Sequence, residues 1–263
     1  MNVNATVSPL QTLLITDLEI SIVIPINNEA ENIPIVASEL TRAMNCYYRR
    51  WECVWIDDGS SDQSSAILEK IVMSDKCHRL VKFEENSGKA AAYWEGFRQA
   101  RGWLIATLDG DGQNDPNDIP ILAKFVLSGM ADMAHGYRER RRDGVVRKFS
   151  SRIGNRFRIA ITGNSVRDVG CATRVFKREC VEYLPRFAGL HRFLATLVAM
   201  NGFRVVDLPV NHRPRMHGMT KYGIGNRLWV GLLDTLGVWW LQKRSISYQI
   251  KATQINKKSR GMD

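Results

Sequence analysis

The sequence predicts an α/β fold built on a mainly parallel β-sheet with helices on its faces. Three observations lead there. Short β-branched apolar runs alternate with stretches of helical spacing through the first half of the chain, and each alternation asks for a right-handed crossover between parallel strands. Each run ends in a polar, acidic cluster, at the edge where such sheets bind ligands. The five cysteines are widely spaced and include no CxxC pair, so neither a disulfide framework nor a zinc site competes for the architecture, and a reducing cytosolic compartment is expected.

Taken in order, residues 1–18 read as a loosely ordered lead. They lack the basic start and apolar core of a signal peptide. Residues 19–25 form a β-branched run and should be the first strand. Ile33, Val36, Ala37, Leu40, Ala43 and Met44 then recur at helical spacing, with Pro34 tolerable in the first turn. A second strand is expected at 52–57, and Ser60, Ser61 and Asp62 after it can cap a helix that runs to about Met73. Residues 79–83 read as a third strand, 89–100 as a helix, 104–108 as a fourth strand, 118–127 as a helix and 131–136 as a short fifth strand.

The pattern changes after Gly136. A basic helix is expected over 145–162, with Phe149, Ile153, Phe157 and Ile161 on one face. A late strand follows at 205–210, then a loop over 211–223 rich in Arg, His and Gly. Residues 228–241 are apolar and carry Trp229, Trp239 and Trp240, closed by Lys243 and Arg244. The segment is too short to span a bilayer. Tryptophan flanked by cations suits a helix lying among lipid headgroups; burial against the main domain or a second subunit suits it equally.

The net charge of +10 calls for an anionic partner. The positive residues concentrate after Arg138, and no helix-turn-helix, zinc spacing or aromatic stacking motif accompanies them. Nucleic acid is therefore not the expected partner. The most chemical segment is Thr107-Leu-Asp-Gly-Asp-Gly-Gln-Asn-Asp-Pro116. Gly110 and Gly112 let the backbone turn, and alternation of extended residues can set Asp109 and Asp111 on one side with Gln113 beyond them. A divalent metal with oxygen ligands would relieve their mutual repulsion and leave coordination positions for phosphates. A solvated turn is the plainer alternative.

The succession Val23-Ile-Pro-Ile-Asn-Asn-Glu29, Ile56-Asp-Asp-Gly-Ser60, Asn86-Ser-Gly-Lys89, Leu108-Asp-Gly-Asp-Gly-Gln-Asn-Asp-Pro116 and Gly136-Tyr-Arg138 resembles the family 2 inverting glycosyltransferases of GT-A fold. Asp168-Val-Gly-Cys171 with Arg174-Val-Phe176, and Arg215-Met-His-Gly-Met-Thr-Lys-Tyr222, resemble its polyprenyl-phosphate branch, which includes dolichol-phosphate mannosyltransferases. From the residues themselves, a Trp-rich amphipathic helix is expected over 224–244 and a basic tail over 245–263; the resemblance implies a GT-A catalytic domain over 19–223.

It also implies roles. Pro25, Asn27, Glu29, Ile56 and Asp58 would hold the nucleoside, although many relatives have Tyr where this chain has Asn27. Lys89, Asp109, Gly110 and Asp111 would meet the sugar diphosphate, and Asp111 and Gln113, with Asp109, would hold Mg2+ or Mn2+. Arg138, Arg215 and Lys221 would bind phosphates of donor or acceptor, and Asp109, Asp111, Arg215 and Lys221 would carry catalysis.

A sugar-hydroxyl acceptor needs a general base, yet the chain has no Glu-Asp pair and no Gln-x-x-Arg-Trp motif. A lipid phosphate is already an anion and needs only cations to orient it. The expected partners are thus a GDP- or UDP-linked nucleotide sugar, a polyprenyl phosphate and the membrane surface, with a homo-oligomer left open. The expected place is the cytoplasmic side, peripheral at the inner membrane face. His191 and His217 are expected in loops near the acceptor.

Overall fold

The computed structural model describes residues 18–139, 158, 159, 161, 163, 166–215 and 224–246, with backbone alone for 224–229. The expected lead, the basic helix over 145–162 apart from those single positions, the loop residues His217 and Lys221, and the tail beyond 246 lie outside the described residues.

β1 (Ile20–Ile26) and β2 (Trp51–Asp57) are neighbouring interior strands of a seven-stranded sheet. β2 is buried along its whole length and β1 at all but one position, as a strand covered by helices on both faces must be. The sheet continues with β3 (His78–Lys82), β4 (Leu104–Thr107), β5 (Met133–Arg138), β6 (Arg174–Lys177) and β7 (Val205–Val210), in the order β3-β2-β1-β4-β6-β5-β7. β6 runs antiparallel to both its neighbours, and the other pairings are parallel. The carboxyl ends of β1, β2, β3 and β4 therefore open on one edge.

Helices α1 (Ile33–Tyr47), α2 (Ser64–Ser74), α3 (Lys89–Gln99) and α4 (Asp118–Leu127) make the crossovers. α5 (Leu190–Met200) and α6 (Ile224–Arg244) follow. One apolar cluster joins β1 to α1 and α4 through Ile22, Ile24, Leu40, Met44 and Leu122; another, on the opposite face, joins Val23, Phe97, Phe176 and Leu194.

Three details differ from expectation. The fifth strand starts two residues later than predicted, at Met133. α2 has Gln63 at its N-cap, and that side chain makes no cap hydrogen bond. Of the residues expected to cap it, Asp62 does accept the N–H of Ser64, the first residue of α2, through Oδ1 at 2.9 Å, while its Oδ2 and Ser60 Oγ accept backbone N–H groups of Ala30 and Asn28, 3.2 and 3.0 Å away across the site edge. Ser60 and Asp62 thereby also hold the loop after β1. His191, expected in a loop, is the second residue of α5.

Candidate active site

The acidic turn leaves β4 at Leu108 and is pinned from three sides. Asp109 Oδ1 accepts Lys89 Nζ at 2.5 Å and the Tyr93 hydroxyl at 3.2 Å. Lys89 and Tyr93 lie four apart on α3 and so share a face. Burial pulls the Asp109 carboxyl upward, but the charge and hydrogen bond of Lys89, with Arg174 and Tyr93, outweigh it and leave it below the ordinary carboxylate value. The Asp109 N–H donates to Asn114 Oδ1 at 2.9 Å, and Asn114 Nδ2 donates to Thr173 Oγ1 at 2.9 Å. A Cβ on Gly110 would stand 2.2 Å from Ile26 Cδ1. Any larger residue there would have to displace the buried end of the Ile26 side chain.

Asp111 is held differently. Its Oδ1 accepts the Gln113 N–H at 3.2 Å. Burial and the neighbouring Asp109 charge push its carboxyl up to about 6, against the pull of Gln113, Arg215 and Lys89. A desolvated carboxylate beside a second one is a site that a cation relieves. Gln113 Nε2 donates to the Arg213 carbonyl at 3.3 Å, which leaves its amide oxygen as an acceptor. No group of three or more His, Cys, Asp or Glu side chains among the described residues is placed to hold a metal. Two carboxylates and an amide oxygen still fit a hard divalent ion, provided that ligand oxygens complete its shell.

The chain after β7 is laid across this turn. Asp118 accepts the Asn211 N–H at 2.8 Å and Nδ2 at 3.0 Å. His212 bridges Asn114, and the Arg213 N–H donates to the Gln113 carbonyl at 2.9 Å. The Arg213 guanidinium meets Glu39 at 2.6 Å and Asp115 at 2.9 Å. Arg215 then pairs with Glu29, whose other oxygen accepts Asn32 Nδ2 at 2.7 Å.

The nucleoside-side residues form the neighbouring wall. Pro25 and Ile56 are register partners in β1 and β2, and Ile56 is wholly buried, so a ligand there would meet its backbone. Asn27 Nδ2 donates to the Asp58 carbonyl at 2.7 Å. The Asp58 carboxylate accepts the N–H groups of Ser87 at 2.7 Å and Gly88 at 3.0 Å. It therefore anchors the start of α3, and through it Lys89. Gly59, at φ 62°, lets the β2 loop touch the backbone of Glu85 and Asn86.

On the far side, Arg138 makes a two-pronged pair with Asp168, at 2.6 and 2.9 Å, so a phosphate reaching it would share it with that carboxylate. Behind this pair the buried His135 Nε2–H donates to the Asp168 carbonyl at 2.9 Å, and its Nδ1 accepts Arg174 Nε at 3.3 Å. Burial and the Arg174 charge hold its pKa down at about 3, which keeps the ring neutral and this arrangement intact.

The structure thus brings Lys89, Asp109, Gly110, Asp111, Gln113 and Arg215 to one edge, with Asn27, Glu29 and Asp58 beside them and Arg138 across the strand ends. Tyr93, Asn114 and Arg213 were missed as site residues. The position of Tyr93 one turn after Lys89 was the available signal. α6 presents Leu233, Leu236, Trp239 and Trp240 outward, at 66%, 42%, 41% and 57% exposure. Its one acidic residue, Asp234, pairs with Arg192 of α5 at 2.7 Å. No helix among the described residues is long and apolar enough to cross a membrane.

With this geometry in hand, likenesses to known proteins take on meaning. A dodecaprenyl-phosphate galacturonate synthase of Rhizobium johnstonii is 35% identical over 87% of this chain and 69% of its own length. An undecaprenyl-phosphate 4-deoxy-4-formamido-L-arabinose transferase of Salmonella choleraesuis is 34% identical over 78% of this chain. The match spans 62% of that relative's own length.

Among solved structures, glucosyl-3-phosphoglycerate synthase of Mycobacterium tuberculosis with Mn2+, UDP and phosphoglyceric acid superposes at TM-score 0.63, 18% identity, over 88% of this chain and 80% of that one. A mannosyltransferase of Pyrobaculum calidifontis with GDP-mannose and Mn2+ superposes at TM-score 0.61, 19% identity, over 88% of this chain and 66% of that one. These two likenesses show the GT-A fold. The family model described as glycosyl transferase family 2 matches residues 21–184, and the chain belongs to that family.

Proposed function

We propose that this protein transfers a sugar, with inversion at the anomeric carbon, from a nucleotide sugar to a polyprenyl phosphate at a membrane surface. One observation carries the reading: the loop after β7 brings Arg215, and the start of α3 brings Lys89, so that two cations from separate elements act on the Asp111 carboxylate. Such a site suits two anionic substrates. The names of the two relatives, each a polyprenyl-phosphate sugar transferase or synthase, point to the same acceptor. The product would serve cell-envelope glycan or lipid A modification.

Asp111, Asp109 and the Gln113 amide oxygen would hold Mg2+ or Mn2+, which when bound neutralises charge on the departing diphosphate. The chain's own residues do the rest. Lys89 keeps Asp109 ionised and, with Arg215, adds positive charge where the leaving group gathers negative charge. Arg215, with Lys221 and Arg138, orients the lipid phosphate. That nucleophile arrives ionised, so no side chain need remove its proton.

The test is a panel of UDP-galacturonic acid, UDP-glucose, other UDP-sugars and GDP-mannose with undecaprenyl phosphate, read by mass spectrometry. A sugar–phosphate–lipid ester is the expected product. A glycosidic bond to a sugar hydroxyl would replace this reading with its rival, and failure of every donor would end it.

The outward face of α6 fits a lipid surface. Leu233, Leu236 and Trp240 make an apolar stripe, and Lys243 and Arg244 close the helix with charge that complements anionic headgroups. Burying a large apolar side chain contributes roughly 1.5–3 kcal/mol. Leu233→Ser with Trp240→Ser should therefore weaken association with phosphatidylglycerol vesicles by about 100-fold, while turnover of detergent-dispersed acceptor persists. Unchanged flotation with vesicles would assign the face to another role.

A further inference from the structure

His191, the second residue of α5, lies within electrostatic reach of Lys89, Arg174 and Asp109. Arg174, 2% exposed, donates Nη1 to the His191 carbonyl at 2.9 Å and Nη2 to the Val169 carbonyl at 3.1 Å. In the sheet Arg174 is the register partner of Thr107, two residues before Asp109. The start of α5 is thereby tied to the strand end that delivers the acidic turn. The His191 Nδ1 atom is shut off from water and has no hydrogen-bond partner among the described residues, although the residue as a whole is partly exposed.

Of the charged groups near it, Lys89 is engaged with Asp109 and Arg192 Nη2 with Asp234, while Arg192 Nε, a donor, is itself buried without a partner among the described residues. An orphaned buried polar atom is costly, and a bound molecule offers the means to satisfy it. Burial, with Lys89, Arg192 and Arg174 nearby, holds the imidazolium down at about 3, so the ring is neutral. A neutral imidazole has one donor and one acceptor. That is a poor match for a phosphate, which cations serve better, and a good match for a hydroxyl, which both gives and takes a hydrogen bond.

We propose that His191 hydrogen-bonds a hydroxyl of the transferred sugar and so helps to select which sugar is carried. It moves no proton in the transfer. The inference rests on the reading of the site as one for a nucleotide sugar.

The test compares binding of UDP with UDP-galacturonic acid, and of GDP with GDP-mannose, by calorimetry in the presence of Mn2+. Wild type, His191→Ala and His191→Gln are measured, with a thermal melt of each. The expected result is UDP or GDP affinity within about twofold of wild type and sugar-nucleotide affinity weakened about 10-fold in His191→Ala, with part of the loss restored in His191→Gln. In turnover, KM for the sugar nucleotide should rise and KM for undecaprenyl phosphate should not. Equal losses for nucleotide and sugar nucleotide would mean a merely structural role and overturn the proposal, as would no loss at all. Because these measurements need no acceptor, they separate its failure from a wild type that binds sugar nucleotide yet makes no lipid-linked sugar, which would sink the acceptor reading instead.

Discussion

Asp111→Asn should lower transfer by about 10²–10³-fold, in the range lost when one aimed electrostatic partner is removed from a charged transition state, and should leave the fold as stable as before or more so. The second half follows from its environment. Burial and Asp109 hold its carboxyl up at about 6, so at neutral pH the folded protein keeps an anion where it is disfavoured. Its one described hydrogen bond comes from a backbone N–H at 3.2 Å, which the Asn carbonyl can still accept. Asp109→Asn should behave otherwise. It leaves Lys89 without its 2.5 Å partner, and both turnover and melting temperature should fall. Mn2+ binding by calorimetry, lipid-extractable label and thermal melts read all three quantities. Wild-type turnover in Asp111→Asn, or undiminished turnover after chelation of divalent ions, would remove the acidic turn from the mechanism.

This separation of activity from stability also shows which parts of the molecule a single sequence displays. β1 and β2 are legible because strands buried on both faces are near-continuous runs of Ile, Val and Trp. β6 is four residues long and begins with a buried arginine, so neither length nor alternation announces it. α5 is buried at Leu190 and at every position from Phe193 to Val198. A helix enclosed on most sides loses the polar stripe that gives a period of 3.6.

The acidic turn was legible for local reasons, because two glycines and two aspartates within four residues have few other uses. Its supports were not. Tyr93 comes from a helix, Thr173 from the approach to β6 and Arg213 from the loop after β7, and only the sheet order places them together. The serines after β2 were read as a helix cap because capping is the commonest local use of such residues. The hydroxyl partners of Ser60 and Ser61 lie on Asn28, more than thirty residues away in sequence. Local chemistry was readable, and long-range hydrogen bonding was not.

The opposite edge of the sheet carries the largest expected loss of stability. Glu52 is 1% exposed, and its carboxylate accepts Ser21 Oγ at 2.7 Å, the Arg101 N–H at 2.8 Å, Arg101 Nη2 at 2.6 Å and Arg79 Nη1 at 3.0 Å. It ties β1, β2, β3 and the turn before β4 together at the start of the strands. Glu52→Ala should cost about 3 kcal/mol, the lower end for breaking a buried ion pair, because both guanidinium groups can turn toward water. For a chain of this size that is a fall in melting temperature of about 6–12 °C. The effect has a sign in pH. Burial alone would raise the carboxyl, but Arg101, Ser21 and Arg79 bring it below its ordinary 4.5. A carboxyl lowered on folding stabilises the protein above its unfolded value and loses that contribution as pH falls through the folded one. Wild type should therefore lose more stability than Glu52→Gln between pH 5 and pH 3, and the two melting curves should converge in acid. Equal losses over that range would show that the cluster is held by its shape and not by its charge.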